Sequence, residues 1–318
     1  MSNKLVVKSN ELISASYNLS LNEQKMALYA ISKLDRDDSG FNSIEVNIRD
    51  FTDILNITDR NYEQIRDTAR RLRKKEIIID TDKFEYITGW FSSVTFVKDD
   101  GNITIKFDDD LVPYLLKLKN RFTRYELKNV LSMKSAYSIR LYELLKQYES
   151  IKKREINLDK LKECLGMEKD MYSRFYDLER RVLKVAKKEI NKNTDLNIDY
   201  EKIKTGRKIT SVLFRIEPKD KDKKVYIDFL NEFYDIKEMK LKMGLKNENF
   251  SPEQIMNLYE KAVEMAGNED IDLFEYIRLN YNHIKGKARN KYSYLLNALE
   301  NDYASAIGQI NLDYYIKK

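Results

Sequence analysis

The sequence predicts a helix-rich α+β chain in which one unit, a helix-turn-helix with a β-hairpin behind it, occurs twice and is followed by a helical extension. Three observations carry this. Residues 46–77, VNIRDFTDILNITDRNYEQIRDTARRLRKKEI, return as residues 156–190, INLDKLKECLGMEKDMYSRFYDLERRVLKVAKKEI. Val46-Asn47-Ile48 and Leu55 recur 110 residues on as Ile156-Asn157-Leu158 and Leu165, and Lys74-Lys75-Glu76-Ile77 recurs 113 residues on as Lys187-Lys188-Glu189-Ile190. Leu28-Tyr29 and Leu141-Tyr142 are also 113 apart, so each copy spans roughly a hundred residues and a duplicated domain is expected. In both copies, apolar residues spaced by three and four give way to β-branched and aromatic runs. Beyond the charged stretch Pro218-Lys219-Asp220-Lys221-Asp222-Lys223-Lys224, only helical patterns remain. The expected partition is 1–121, 122–218 and 219–318.

Composition sets bounds. With 318 residues, 35% charged, and only nine glycines and three prolines, the chain reads as folded and helical rather than disordered. No apolar run approaches a bilayer span, and MSNKLVVKSNELIS lacks the apolar core and cleavage site of a signal peptide, so a cytoplasmic protein without a membrane partner is expected. The single cysteine, Cys164, excludes an internal disulfide and matches Ile54 of the first copy, a core position.

Taken in order, Leu5-Val6-Val7 opens the chain and a short helix is expected around Glu11. Ser20-Leu21-Asn22-Glu23 has capping-box spacing, starting a helix that carries Met26, Leu28, Tyr29, Ile31 and Leu34. Asn47 can cap the next helix, whose Phe51, Ile54 and Leu55 face inward. After a turn at residues 56–59, Tyr62, Ile65, Ala69 and Leu72 form one buried stripe. Asp67, Arg70, Arg71 and Lys74 lie opposite, with Arg60, Asn61 and Gln64 at the leading end. Residues 77–79, 86–97 and 103–107 read as strands, with Asp99-Asp100-Gly101-Asn102 as a hairpin turn.

The second copy starts near Phe122. Helices are expected over about 134–148 and 158–164, then a basic helix with Phe175, Leu178, Val182 and Val185 inward. Ser173, Tyr176, Arg180, Lys184 and Lys187 share its outward face, with Arg174 near the entry and Arg181 beside Arg180. Strands over 196–203 and 209–216 flank a turn at residues 205–208, giving a wing tip with Lys202, Lys204, Arg207 and Lys208. The tail reads as helices over about 225–243, 252–265, 272–284 and 291–303, with Pro252 at a first helical position. The order of helix, helix, basic helix and hairpin makes tandem winged helices.

Net charge is +6, but its distribution says more. Residues 60–76 hold seven basic and three acidic side chains, and residues 171–190 hold six and three. Positive charge on two equivalent helices is the footprint of a polyanion binder. In a helix-turn-helix the second helix enters the major groove, so Arg180 and Tyr176 are expected to read bases, while Lys184, Lys187, Arg207 and Lys208 contact the phosphate backbone. For one isolated helix, a solvated charged face is the plainer explanation. Two copies, each with a wing, favour nucleic acid.

Enzyme readings find little footing. His283 is the only histidine, so the paired-histidine metal site of a nicking endonuclease has no ligands, and no P-loop sequence exists. Asp80 with Asp82, and Asp108 to Asp110, have carboxylate spacing but sit at element boundaries, where aspartate ordinarily caps or solvates. Trp90 is expected to anchor a sheet or an interface. No cofactor, metal or catalytic residue is expected.

KSNELISASYNLSLNEQKMALYAIS, RNYEQIRDTARRLRKKEI and FDDDLVPYLLKLKNRFTRYELKNVLSMKSAYSIRLYELLKQY resemble the initiator Rep proteins of theta-replicating plasmids, over about residues 4–217. The resemblance implies two winged helices that bind repeated double-stranded origin sequences called iterons, as monomers when initiating. It also implies homodimers through the first domain, repression of the protein's own gene, and dominant sequence-specific contacts from the second domain. The host initiator, the helicase and helicase-loading proteins are the implied partners. The tail departs from the minimal pattern; EYIRLNYNHIKGKARNKYSYLLNALENDY is faintly similar to helical tails of primosomal DnaD-like proteins, which implies recruitment of the host replisome. A transcriptional repressor without a replication role shares the same DNA-binding face and remains the alternative.

Overall fold

The computed structural model describes residues 4–55, 62–80, 84–96, 102–118, 121–168, 170–219, 236–266, 272–286 and 290–306. The chain divides into two units, residues 1–219 and 220–318. In the first unit, the first copy runs β1 (Leu5–Ser9), α1 (Asn10–Ser14), α2 (Leu21–Ile31), β2 (Ile44–Asn47), α3 (Ile48–Leu55), α4 (Tyr62–Arg73), β3 (Glu76–Asp80), β4 (Glu85–Gly89), β5 (Phe91–Phe96) and β6 (Asn102–Phe107), then a 3-10 turn over Asp109–Leu111 and α5 (Val112–Leu115). The second copy runs β7 (Phe122–Glu126), α6 (Lys128–Leu131), α7 (Ala136–Lys146), β8 (Lys153–Asn157), α8 (Leu158–Cys164), α9 (Phe175–Leu178), a π turn over Glu179–Leu183, α10 (Lys184–Asn193), β9 (Leu196–Thr205) and β10 (Lys208–Pro218).

Several helices begin where a side chain satisfies free backbone donors. Ser20 and Glu23 form the reciprocal capping box ahead of α2. Asn47 accepts from the Arg49 amide at 2.9 Å, and Asn157 does the same for Asp159 at 2.9 Å, so the duplicated asparagine caps α3 and α8 alike. Every residue of α2 from Glu23 to Ile31 is buried, and that burial makes it a central helix rather than a surface one.

The sheets repeat as well. β2 pairs with β6 and β6 with β5, all antiparallel, and β8, β10 and β9 form the same arrangement in the second copy. The expected strand over 86–97 is in fact two. It breaks at Trp90, whose carbonyl accepts from the Asp108 amide at 3.2 Å; β4 turns back on β3 in an additional hairpin, and β5 starts the wing. Trp90 is buried with its ring edge-on to Tyr17 at 5.0 Å, an intramolecular anchor. The expected turn at residues 99–102 falls, but for Asn102, outside the described residues, as does the side chain of Leu55.

One apolar cluster runs through both copies, from Val6 to Ile216. β1 pairs with β7, Val6 opposite Tyr125, so the chain's first strand lies beside the first strand of the second copy. Within this core sits a charged network. Lys8 Nζ meets Glu143 Oε1 at 2.7 Å, and Arg140 donates to Glu143 at 3.2 Å, to Tyr17, and to the carbonyls of Ile13, Ala15 and Cys164 at 2.6–2.8 Å. Tyr125 donates to Glu143 at 2.5 Å. Cys164 is buried, as expected of a core residue.

Residues 220–318 have their own core. α11 (Ile236–Lys242), α12 (Pro252–Ala266), α13 (Leu273–Ile284) and α14 (Lys291–Glu300) pack around Met243, Leu258, Tyr276, Ile277, Leu295 and Leu299. Ser251 and Gln254 cap α12 reciprocally, and Asp272 caps α13. Residues 220–235, part of the expected linker and helix, lie outside the described residues.

Candidate nucleic-acid interface

Helix α9, the π turn and α10 form one continuous basic helix, because the connecting residues Leu178 and Lys184 keep right-handed helical dihedrals. Its buried positions are Leu178, Val182, Leu183, Ala186 and Ile190. The expected stripe is corrected here. A π turn holds an extra residue, so the phase beyond it rotates by about one position; Ala186 goes inward while Val185 is 37% exposed and Phe175 is only half-buried. In the first copy α4 buries Ile65, Ala69 and Leu72 as expected, but Tyr62 at its first turn is 38% exposed.

The outward side of the second helix carries Tyr176, 65% exposed, with Arg180, Arg181, Lys184 and Lys188 exposed along it. Ser173 and Arg174 are exposed at the entry. The Arg180 guanidinium lies 5.8 Å from the Tyr176 ring and 3.8 Å from Asp177. Lys188 was not expected on this face; its signal is visible only once the π turn is known. Arg181, Lys184 and Lys188 are spaced by three and four and have no ion pair among the described residues.

The wing is a long antiparallel hairpin whose tip is a two-residue turn. Gly206 is its first central residue, with φ +63°, where glycine suits the left-handed backbone, and a Cβ added there would meet nothing within 4 Å. Lys204, Arg207 and Lys208 surround the tip, exposed and without ion pairs among the described residues. Lys202 faces the helix instead.

Between helix and wing lies a cleft lined by Glu179, Lys184, Lys187, Asp199, Tyr200, Glu201 and Lys202. Two ion pairs close it: Lys187 to Asp199 at 2.6 Å and Lys202 to Glu179 at 2.9 Å. The Lys187 ammonium holds the Asp199 carboxyl below its usual range. Burial, with Glu179 beside it, pushes the Tyr200 hydroxyl up to about 12. Sequence reasoning placed both lysines on the DNA face and missed their carboxylate partners, which come from a different element.

In the first copy, Arg60 and Asn61 lie outside the described residues. Gln64, Arg70 and Arg71 are exposed on α4, and Lys74 is exposed in the turn just after it. Arg70 is held by Glu63 and Asp67, both at 3.0 Å, and Arg71 reaches Glu23 at 3.1 Å. Arg66 and Arg70 lie 5.4 and 5.6 Å from the Phe96 ring of the wing strand β5. Several cations of this face are therefore already engaged within the protein.

Asp108 and Asp109 have structural roles. Asp108 caps the 3-10 turn by accepting from the Asp110 amide, and Asp109 pairs with Lys106 at 3.0 Å. Asp80 is exposed and Asp82 lies outside the described residues. His283 is exposed in the second unit, its ring 6.5 Å from Tyr303. Among the described residues, no group of three or more His, Cys, Asp or Glu could hold a metal, and no helix is long and apolar enough to cross a membrane. Residues 1–219 hold 43 of the 58 Lys and Arg but 35 of the 52 Asp and Glu, so the positive charge belongs to the unit with the winged helices.

Comparison with known proteins agrees with this architecture. Residues 5–146 match the family model for the first winged helix of the initiator replication proteins, and residues 157–216 match that for the second winged helix of the initiator Rep proteins. The chain belongs to this initiator family. It is 28% identical over 167 residues to a replication initiation protein of Escherichia coli, an alignment covering 50% of this chain and 52% of that one. It is 26% identical over 166 residues to an uncharacterized 27.6 kDa protein of Escherichia coli, covering 47% of this chain and 70% of the relative. The chain thus spans about half the length of the first relative. The fold is shared with the Pi initiator protein, whose crystal structure is a complex with iteron DNA, at a TM-score of 0.58 and 23% identity over 70% of this chain and all of that one.

Proposed function

We propose that the chain is a plasmid replication initiator that binds repeated origin duplex, helps to open it and recruits host replication proteins, acting in the cytoplasm without catalysis of its own. The observation that carries this reading is the cationic face of the second winged helix. Arg180, Arg181 and Lys184 on the helix and Lys204, Arg207 and Lys208 at the wing tip are all exposed. A helix flanked by a basic hairpin suits a major groove with phosphates on either side. Tyr176 and Arg180 then read base edges, with Ser173 and Arg174 at the helix entry, and the wing tip sets register on the backbone.

The partition of roles follows the same logic. Residues 122–218 make the dominant sequence-specific contacts, because Arg181, Lys184 and Lys188 on the helix and Lys204, Arg207 and Lys208 at the wing tip have no ion pair among the described residues. Residues 1–121, whose Arg70 and Arg71 already have carboxylate partners, bind adjacent duplex or a second copy of the chain, and the homodimer represses the gene. Residues 219–318 serve the host initiator, helicase or helicase loader. Their acidic side chains slightly outnumber the basic ones, which suits a protein partner better than DNA.

The test is footprinting on duplex from immediately upstream of the gene across a range of salt. Several evenly spaced direct repeats, each protected by one protein, are expected. A single inverted repeat favours a dimeric repressor, and absence of any sequence-specific protection overturns the reading.

A further inference from the structure

The cleft between the second basic helix and its wing brings three lysines and three carboxylates together on the face that the proposed function turns toward DNA. Lys187 and Lys202 are bonded to Asp199 and Glu179, and Glu201 is paired with Arg215 on β10 at 2.6 Å. Lys184 alone in the cleft has no ion pair among the described residues. The pairs cross from helix to wing, and on a DNA-binding face the exposed Asp199 carboxylate would meet a phosphate following the groove edge. Stability does not explain the outer pair: the Asp199 side chain is 67% exposed and that of Lys187 37%, and an ion pair so open to water contributes little to folding, while Glu179, 13% exposed, lies deeper in the cleft beneath Lys202.

We propose that Asp199 and Glu179 are specificity-determining residues that act as built-in counterions for the DNA face. Binding to arbitrary duplex rests almost wholly on lysine and arginine displacing dissolved cations from phosphates. A lysine already neutralised by the protein's own carboxylate offers little to that process, and the carboxylate repels the incoming phosphate. The cleft therefore withholds Lys187 and Lys202 from sequence-independent binding. Arg180 and Tyr176, which depend on base identity, carry a larger share of what remains. Any duplex can shift until its phosphates find a newly freed lysine, whereas a duplex held in register by base contacts cannot. Releasing the lysines accordingly helps random DNA more than the origin repeat.

This inference rests on the proposed DNA-binding face, and the experiment separates the two. Full-length wild type, Asp199→Asn and Glu179→Gln are titrated with a random-sequence duplex and with the protected upstream duplex at several salt concentrations. Each substitution is expected to tighten random-duplex binding several-fold and to steepen the salt dependence by about one unit of log–log slope per lysine released. The ratio of specific to random affinity then narrows. Asp199 is exposed, so its amide variant keeps the fold, and unchanged thermal unfolding checks both variants. If wild type binds DNA with sequence preference and neither variant changes random-duplex affinity or slope, the counterion role fails while the DNA-binding face stands. If wild type binds neither duplex, both fail.

Discussion

Lys8 and Glu143, 135 residues apart in the chain, form an ion pair of 2.7 Å with side chains 1% and 0% exposed. Arg140, 2% exposed, is the second cation on the same carboxylate. Removing Glu143 leaves two cations without compensation in a dry core, which costs about 3–5 kcal/mol; removing Lys8 costs less, because Glu143 keeps Arg140. Glu143→Gln should lower the unfolding free energy measured in denaturant by that order, more than Lys8→Met and far more than the amide substitution at exposed Asp199.

The same network gives a pH signature. Burial drives the Lys8 ammonium down to about 8 from its ordinary 10.5, so between these values the unfolded chain holds a proton that the folded chain has released. Stability contributed by this group therefore rises with pH across that window. Wild type should gain stability relative to Lys8→Met between pH 8 and 10. Tyr17 and Tyr125, both pushed well above their ordinary value by burial, stay protonated there. Lys8 and Arg140 outweigh the burial of Glu143 and hold its carboxyl below 4.5, so its contribution is complete above that value and is lost only as more acidic solution protonates it in the fold. Denaturant unfolding from pH 3 to 10 checks both arms.

Two glycines with similar backbones should respond differently. Gly206 and Gly166 have φ of +63° and +66°, but a Cβ at Gly206 meets nothing, while one at Gly166 lies 2.1 Å from the Tyr17 carbonyl oxygen. Gly206→Ala should cost about 1 kcal/mol from backbone strain alone. Gly166→Ala must also push apart packed backbone and should lower the thermal midpoint by a clearly larger step. Equal shifts would sink the argument.

On the DNA face, Arg180→Ala should relax preference at one base position by about 1–3 kcal/mol. Lys208→Ala should weaken all sequences alike and flatten the salt dependence by about one unit. Lys187→Ala should do so by less, because Asp199 already occupies that lysine. Salt titrations on matched and single-mismatch duplexes distinguish the three.

Ending the chain at Lys219 should leave footprinting intact and abolish replication, since residues 220–318 have a separate core. Loss of protection in the shortened protein would place DNA contacts in the second unit.

The duplication, the caps at Ser20 and Asn47 and the wing of the second copy were legible because each is local: a residue type at a fixed offset from the backbone group it serves. Less visible were features made by distant parts meeting. Val185 reads as core in an unbroken helical period, and only the π turn over Glu179–Leu183 moves it out. Lys187 reads as a phosphate contact until the wing delivers Asp199. Lys8 gave one hint, a lone charge inside Leu5-Val6-Val7-Lys8, as did Arg140 and Glu143 within SIRLYELL, yet nothing along the sequence pairs them.

The pairing of β1 with β7 has a bearing on how the protein is made. Residues 5–9 leave the ribosome more than a hundred residues ahead of their strand partner, residues 122–126. Lys8 waits longer still, for Glu143. Synthesis proceeds at roughly 5–20 residues per second, so the opening strand spends several seconds without its partner. During translation the first copy can neither pair its opening strand nor neutralise Lys8 until β7 and then α7 of the second copy have emerged.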